Sequence, residues 1–234
     1  MALNTPIRDY SALLETNTLR LTFDDGPKQN QRNSNKGPNS LRIAQFLSEH
    51  NISATFFVTG QNVERDPDLV RNIHLLDHVI GNHSFSHSNL TKLTPSELHY
   101  EVQRTFDAIR GTDYVGEIPF RPPYGLWNER CAYAMSLVPE LSNKHSGVFG
   151  WNIGSKYPDW LAWKRRYPVS LQFQLLKKEI SIANNRGVVL LHDLSANDEL
   201  NSSLNLTYPL VRKLVKWASD SKIVFEAKCD WKVS

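Results

Sequence analysis

The chain has 234 residues, of which 40% are hydrophobic and 22% charged, with a formal net charge of +3. That length suits one large domain with a sizeable core, as in α/β barrels, and the composition is ordinary for a soluble globular enzyme. The basic residues are spread out, and the short clusters Lys164-Arg165-Arg166 and Lys177-Lys178 are not interleaved with aromatics, which excludes a nucleic-acid stripe.

The first apolar run, Leu19–Phe23, reads as a strand that delivers Asp24 and Asp25 directly before a Gly26-Pro27 turn. Adjacent carboxylates repel, so a site that keeps both gives them different jobs, often with a cation between them. Residues 28–40 have little to bury and read as a polar loop flanking the site. "NSLRIAQFLSEH" has helical spacing, Ile52–Thr59 reads as a strand, and "DPDLVRNIHLL" opens a helix with Asp66 as cap before Pro67. Val79–Ile80 leads into "GNHSFSH". In "TPSELHYEVQRTFDAIRG", Thr94 is the N-cap, Pro95 the first helical residue and Glu97 the capping-box partner. Its apolar stripe comprises Leu98, Val102, Thr105, Phe106 and Ile109. Ile118–Phe120 leads into "RPPYG", Val148–Ile153 towards "YPDW", and Val188–Leu191 into His192-Asp193. "YPLVRKLVKWASDS" has helical spacing and Ile223–Phe225 closes the series. Strands alternating with helices predict parallel βαβ units. About seven of them in a single unit, residues 1–234, fit a closed or nearly closed barrel better than an open sheet.

In such barrels the C-terminal strand ends form the active face, so these polar residues are expected to converge. One carboxylate and two imidazoles, His83 and His87, make a three-point site suited to zinc or another first-row divalent ion. HxxxH alone is weak, since such pairs are often solvated on a helix; here a strand and Gly-Asn precede it, favouring a loop that wraps a cation. His74, His78 and His99 lack such company and read as structural or solvent-facing. Arg121 by itself reads as a surface charge or ion pair. Pro122 and Pro123 stiffen the backbone after it and make the Tyr124 N–H a candidate oxyanion donor. Val188, Leu190 and His192 share one strand face, so Leu190 offers an apolar wall beside a titratable His192. An acetyl group requires such a pocket.

Cys131 and Cys229 have no CxxC spacing and read as buried free thiols, with one disulfide as the alternative. No stretch approaches the roughly 20 apolar residues of a transmembrane helix. The segment "MALNTPIRDYSALLETN" has neither the basic nor the apolar region of a signal peptide. The expectation is a cytoplasmic protein, or a mature extracytoplasmic form whose signal has been removed.

The order of these motifs resembles the polysaccharide deacetylase family (carbohydrate esterase family 4). TFDDGP at 22–27, HSFSH at 83–87, RPPYG at 121–125, DW at 159–160 and LLHD at 190–193 match its five signature segments. The resemblance spans about residues 18–195 and implies a distorted, incomplete (β/α) barrel. It also implies hydrolysis of acetyl groups from N-acetylated amino-sugar polysaccharide or oligosaccharide. Carried over by position, it makes Asp24 the general base and Asp25, His83 and His87 the ligands of one divalent metal. Zinc is the expected ion, with cobalt, nickel or manganese as alternatives. Arg121 would hold Asp24, the Tyr124 amide would help bind the oxyanion, and His192 would be the general acid. Leu190 would line the acetyl-methyl pocket, with Pro123, Trp127 and Trp160 on the substrate side.

The fourth segment departs from the family pattern W-x-x-D-x-x-D-W. The chain reads Trp151-Asn-Ile-Gly154-Ser-Lys-Tyr-Pro-Asp159-Trp160, so the first aspartate position falls on Gly154 and about two residues are added. Asp159 is then the acidic residue left to tune either Arg121 or His192. Three rival readings remain: an O-acetyl esterase acting on xylan or a similar glycan, a non-catalytic carbohydrate-binding module, and a two-His-one-carboxylate iron oxygenase. The last usually sits on an all-β scaffold, and the second should lack a proton-transfer residue, whereas Asp24 and His192 are both present.

Overall fold

In the computed structural model, residues 3–28, 39–194 and 205–226 are described. Five parallel strands are present among them: β1 (Thr18–Asp24), β2 (Ala54–Val58), β3 (Val79–Asn82), β4 (Gly187–His192) and β5 (Val224–Phe225). Their order is β3-β2-β1-β4, with β5 paired to the start of β1. All pairs are parallel, so each connection must cross back over the sheet, and helices supply the crossovers. These helices are α1 (Asn39–Glu49), α2 (Gly60–Arg65), α3 (Pro67–His74), α4 (Pro95–Arg110), α5 (Glu129–Ser136), α6 (Pro139–Ser142), α7 (Asp159–Lys164), α8 (Val169–Ile182) and α9 (Thr207–Asp220). The predicted loop at 28–40 lies mostly outside the described residues, as does Cys229. Cys131 is a buried free thiol.

The predicted start signals operate as read. Thr94 and Glu97 form a reciprocal capping box on α4, and Asp66 accepts a 3.2 Å bond from the Leu69 amide at the start of α3. Each cap is worth about 1 kcal/mol. Two predicted strands need correction. Ile118–Phe120 and Val148–Ile153 contribute only isolated parallel bridges, Arg8↔Phe149, Asn82↔Phe120, Phe120↔Val148 and Ile153↔Val189. Pro119 and Pro122 flank Phe120 and lack the N–H groups that a ladder needs. Val148 and Gly150 instead bond to Arg8 in the N-terminal stretch, at 2.9 and 3.2 Å. The sheet is thus not closed by continuous ladders, and the α/β architecture is a distorted, incomplete barrel.

The period of two on β1 decides what faces where. Leu19, Leu21 and Phe23 join the main apolar core with Ile43, Leu47, Leu210 and Leu214 from the surrounding helices. Phe23 stacks on Phe56 at 4.9 Å. The alternate positions Thr22 and Asp24 point the other way, where Phe57, Phe149 and Val188 form a smaller cluster. Among these apolar walls the interior of the barrel is polar, and there the candidate site lies.

Candidate active site and metal centre

Register sets the first pairing. Asp24 ends β1 directly opposite His192 at the end of β4. The Asp24 side chain accepts a 2.7 Å bond from Arg121, whose guanidinium also donates to Thr22 Oγ1 at 2.8 Å and to the Gly150 carbonyl at 3.1 Å. Arg121 is fully buried, with its guanidinium 4.1 Å over the Phe57 ring. Burial lowers its pKa from the ordinary value, against the opposing pull of Asp24. The sequence left Arg121 open as a surface charge; the structure makes it an interior ion pair.

Asp25 turns out of the strand with φ 79°, and its carbonyl accepts from Asn62 Nδ2 at 2.9 Å. Its Oδ1 lies 3.1 Å from His87 Nε2 and 3.5 Å from His83 Nε2. The three ligand atoms lie within 4.8 Å of one another, and all three residues are buried. His83 Nδ1 lies 2.7 Å from the Arg121 carbonyl. A carbonyl only accepts, so Nδ1 is a donor and Nε2 is the ring atom turned to Asp25. Burial opposes ionisation of Asp25, yet hydrogen bonds from His83 and His87 hold its carboxyl well below the usual carboxylate range. Two imidazole nitrogens and one anionic oxygen form a donor set that fits a first-row divalent cation, with positions left for water and substrate.

Ser84, His87 and Tyr124 also have positive φ, at 62°, 59° and 60°. Each such residue costs on the order of 1 kcal/mol or more, which surrounding hydrogen bonds must offset. The edge of the Tyr124 ring meets His87 at 4.6 Å, and Tyr124 is 53% exposed beside the buried Pro123.

The second half of the site is built on Asp159, the first residue of α7. Its Oδ1 lies 2.7 Å from His192 Nδ1, and its Oδ2 accepts from the His192 amide at 2.7 Å and from Thr207 Oγ1 at 3.0 Å. Asp159 therefore partners His192, the alternative to Arg121 that the sequence left open. Burial disfavours the His192 imidazolium, but Asp159 first, then Asp25 and Asp24, outweigh it and raise the pKa to about 9. Leu190 is buried one face-step behind His192.

Gly154 is explained by its surroundings. Its φ is +98°, and a Cβ there would lie 2.4 Å from the Leu190 carbonyl oxygen. Introducing the family's carboxylate with Gly154→Asp should cost about 1–3 kcal/mol in backbone strain alone. The thermal midpoint should fall by about 2–12 °C; an unchanged midpoint would show that the loop relaxes freely.

The tryptophans divide. Trp160 is 40% exposed next to Asp159, whereas Trp127 packs edge-on against Phe120 at 5.3 Å and donates its indole N–H to the Thr5 carbonyl at 3.1 Å. Trp151 lies 5.3 Å from the Arg121 guanidinium. His78 is buried between the Ala54 amide and the Ala44 carbonyl, a structural role. Sequence reasoning missed Asp193, Glu179 and Glu101. Asp193 accepts the Gly26 N–H at 3.1 Å; burial, first, and Asp25 push its pKa up to about 7. Glu179 holds the Gly154 and Tyr157 amides at 2.8 and 3.0 Å. Glu101 binds the loop between His83 and His87. A signal for Glu101 existed, because it falls three residues after Leu98 and four before Thr105, inside the buried stripe of α4.

Residues 14–139 match the polysaccharide deacetylase family. The chain is 30% identical over 191 residues to a peptidoglycan-N-acetylglucosamine deacetylase of Listeria monocytogenes, covering 81% of this chain but 35% of that protein. It therefore spans about a third of the length of that relative. A chitooligosaccharide deacetylase of Rhizobium leguminosarum bv. trifolii is 30% identical over 182 residues, 78% of this chain and 74% of that one. In fold, the chitin deacetylase of Colletotrichum lindemuthianum superposes with a TM-score of 0.71 at 21% identity, over 98% of this chain and 94% of the other. The matched stretch carries the carboxylate pair, His83, His87 and Arg121, and it covers more than half of the residues: this chain belongs to the polysaccharide deacetylase family.

Proposed function

We propose that this chain is a metal-dependent deacetylase that hydrolyses acetyl groups from N-acetylated amino-sugar polysaccharide or oligosaccharide and releases acetate. The observation that carries the reading is the division of labour between adjacent carboxylates. Asp24 is held by Arg121, Asp25 is turned towards two imidazoles, and His192 faces Asp24 from the next strand.

Asp25, His83 and His87 would hold the cation, for which zinc suits the donor set best. A divalent ion bound there lowers the pKa of a water towards 7 and opposes negative charge on a carbonyl oxygen. Asp24 accepts the proton of the attacking water, and Arg121 keeps its carboxylate aimed. The Tyr124 amide offers a donor to the developing oxyanion, worth about 3–4 kcal/mol in the transition state. An amine is a poor leaving group, so His192 delivers a proton to the sugar nitrogen as the C–N bond breaks. Leu190 walls the space for the methyl group, and the exposed Trp160 offers a face for the sugar.

The test is acetate release from chitooligosaccharides, peptidoglycan and acetylated xylan, with chelator and after metal is restored. Release from the N-acetylated glycans, lost with chelator and regained with metal, is expected. Release from xylan alone would assign an O-acetyl esterase, and none from any substrate would assign a binding module.

The Asp159 contact carries its own prediction. A general acid works while protonated, and an ionised Asp159 raises the pKa of His192. Asp159→Asn should therefore move the alkaline limb of the kcat/KM profile to lower pH, with little change in metal affinity. A rate lowered equally at every pH would contradict it, because that pattern belongs to a disturbed Asp24.

A further inference from the structure

Glu101 is a carboxylate on the core-facing stripe of α4, 7% exposed, and no ion pair among the described residues accounts for its burial there. Its bonds all go to one place. Oε2 accepts the Phe85 and Ser86 amides, both at 2.8 Å, and Oε1 accepts the Ser86 hydroxyl at 2.6 Å. These residues form the bridge between His83 and His87. The bridge passes through left-handed backbone at Ser84 and again at His87, neither of which is glycine. Its other anchors include backbone bonds, from Gly60 N–H to the Ser84 carbonyl at 3.0 Å and from Gln61 N–H to the Phe85 carbonyl at 3.1 Å.

The strained segment thus has the Ser84 and Phe85 carbonyls tied to the start of α2, its Ser84 amide donated to Asn82 Oδ1 at 2.9 Å, and its Phe85 and Ser86 amides both tied to Glu101. The buried Phe85 amide left without an acceptor would cost about 1–3 kcal/mol, and the part-buried Ser86 amide would add to that, enough to favour a different path for the loop. His83 is independently fixed by β3 and by the Arg121 carbonyl. His87 follows Ser86 directly in the chain, so the course of the bridge sets where its ring starts.

We infer that Glu101 is a positioning residue for the metal centre: its carboxylate sets the Phe85-Ser86 bridge so that His87 Nε2 converges with His83 Nε2 on Asp25. The inference rests on the metal reading of the site. Outer-shell partners that orient metal ligands typically contribute about 10–100-fold to affinity. The effect on Glu101 removal should fall in that range and should appear in binding before it appears in turnover.

The experiment uses the full chain and cobalt(II) as probe, read by its visible absorption and by competition against a chromophoric chelator. Glu101→Ala should weaken cobalt binding by about 10-fold or more and alter the ligand-field bands, as one imidazole leaves its place. Glu101→Gln keeps an acceptor oxygen for the two amides and should bind within about 3-fold of the parent with the parent's spectrum, since the requirement is geometric. Should Glu101→Ala fail to fold, Glu101→Asp withdraws the carboxylate by one methylene in the same helix and should show the same loss in milder form. Parental affinity and bands in a folded Glu101→Ala or Glu101→Asp chain would overturn the inference while leaving the metal reading intact. No cobalt binding by the parent chain would overturn the metal reading and this inference with it.

Discussion

His83→Ala should abolish nearly all activity and strip most of the bound metal, while the chain remains folded. His83 supplies one of three donor atoms and sits at the end of β3, with Nδ1 on the Arg121 carbonyl and Nε2 3.5 Å from Asp25 Oδ1. Two ligands cannot enclose a divalent ion, so the loss should exceed the about 10–100-fold expected from removing a second-layer partner. Stability should fall by about 1–3 kcal/mol, because the Arg121 carbonyl is left buried without its donor. Metal content by elemental analysis, set beside the thermal midpoint, checks this. Full metal occupancy in the variant would defeat the three-residue site.

Asp24→Asn should leave the metal in place and lower kcat by about 10²–10⁴-fold, the range of a lost general base. The separation is visible in the contacts: Asp24 Oδ1 takes Arg121 at 2.7 Å, while Asp25 Oδ1 is the oxygen nearest the two histidines. Asparagine keeps an acceptor for Arg121, so the destabilisation should be less than the about 3–5 kcal/mol of an orphaned buried charge. The companion variant Asp25→Asn should do the reverse, releasing the metal. If Asp24→Asn strips the metal and Asp25→Asn retains it, the two carboxylates have been assigned in the wrong order.

Much of this was legible in the linear chain because it depends on near neighbours. The capping box at Thr94 and Glu97 spans three residues, the Asp66 cap likewise, and the alternation in β1 shows which side chains share a face. The strand ends at Asp24, Asn82 and His192 follow from where apolar runs stop, and parallel strands bring such ends to one side of a sheet. The carboxylate pair, the two histidines and the arginine could therefore be expected to meet before any distance was known.

The tertiary structure decided what depends on separation in space. Asp159 had two possible partners, and only the placement of α7 against the end of β4 puts it 2.7 Å from His192 and not on Arg121. The stretches 118–120 and 148–153 have the composition of strands, but prolines and the competing Arg8 pairing reduce them to single bridges. Gly154 looks like a lost carboxylate in sequence; in space it is the residue that lets the chain pass the Leu190 carbonyl, where a side chain would collide. Glu179 and Asp193 received no role from the order of residues, because a carboxylate's burial and its amide donors come from segments up to 167 positions away, whereas Glu101 falls within the buried stripe of α4. Periodicity and caps record local energetics, whereas the partner of a buried charge is chosen by packing, which the order of residues does not by itself display.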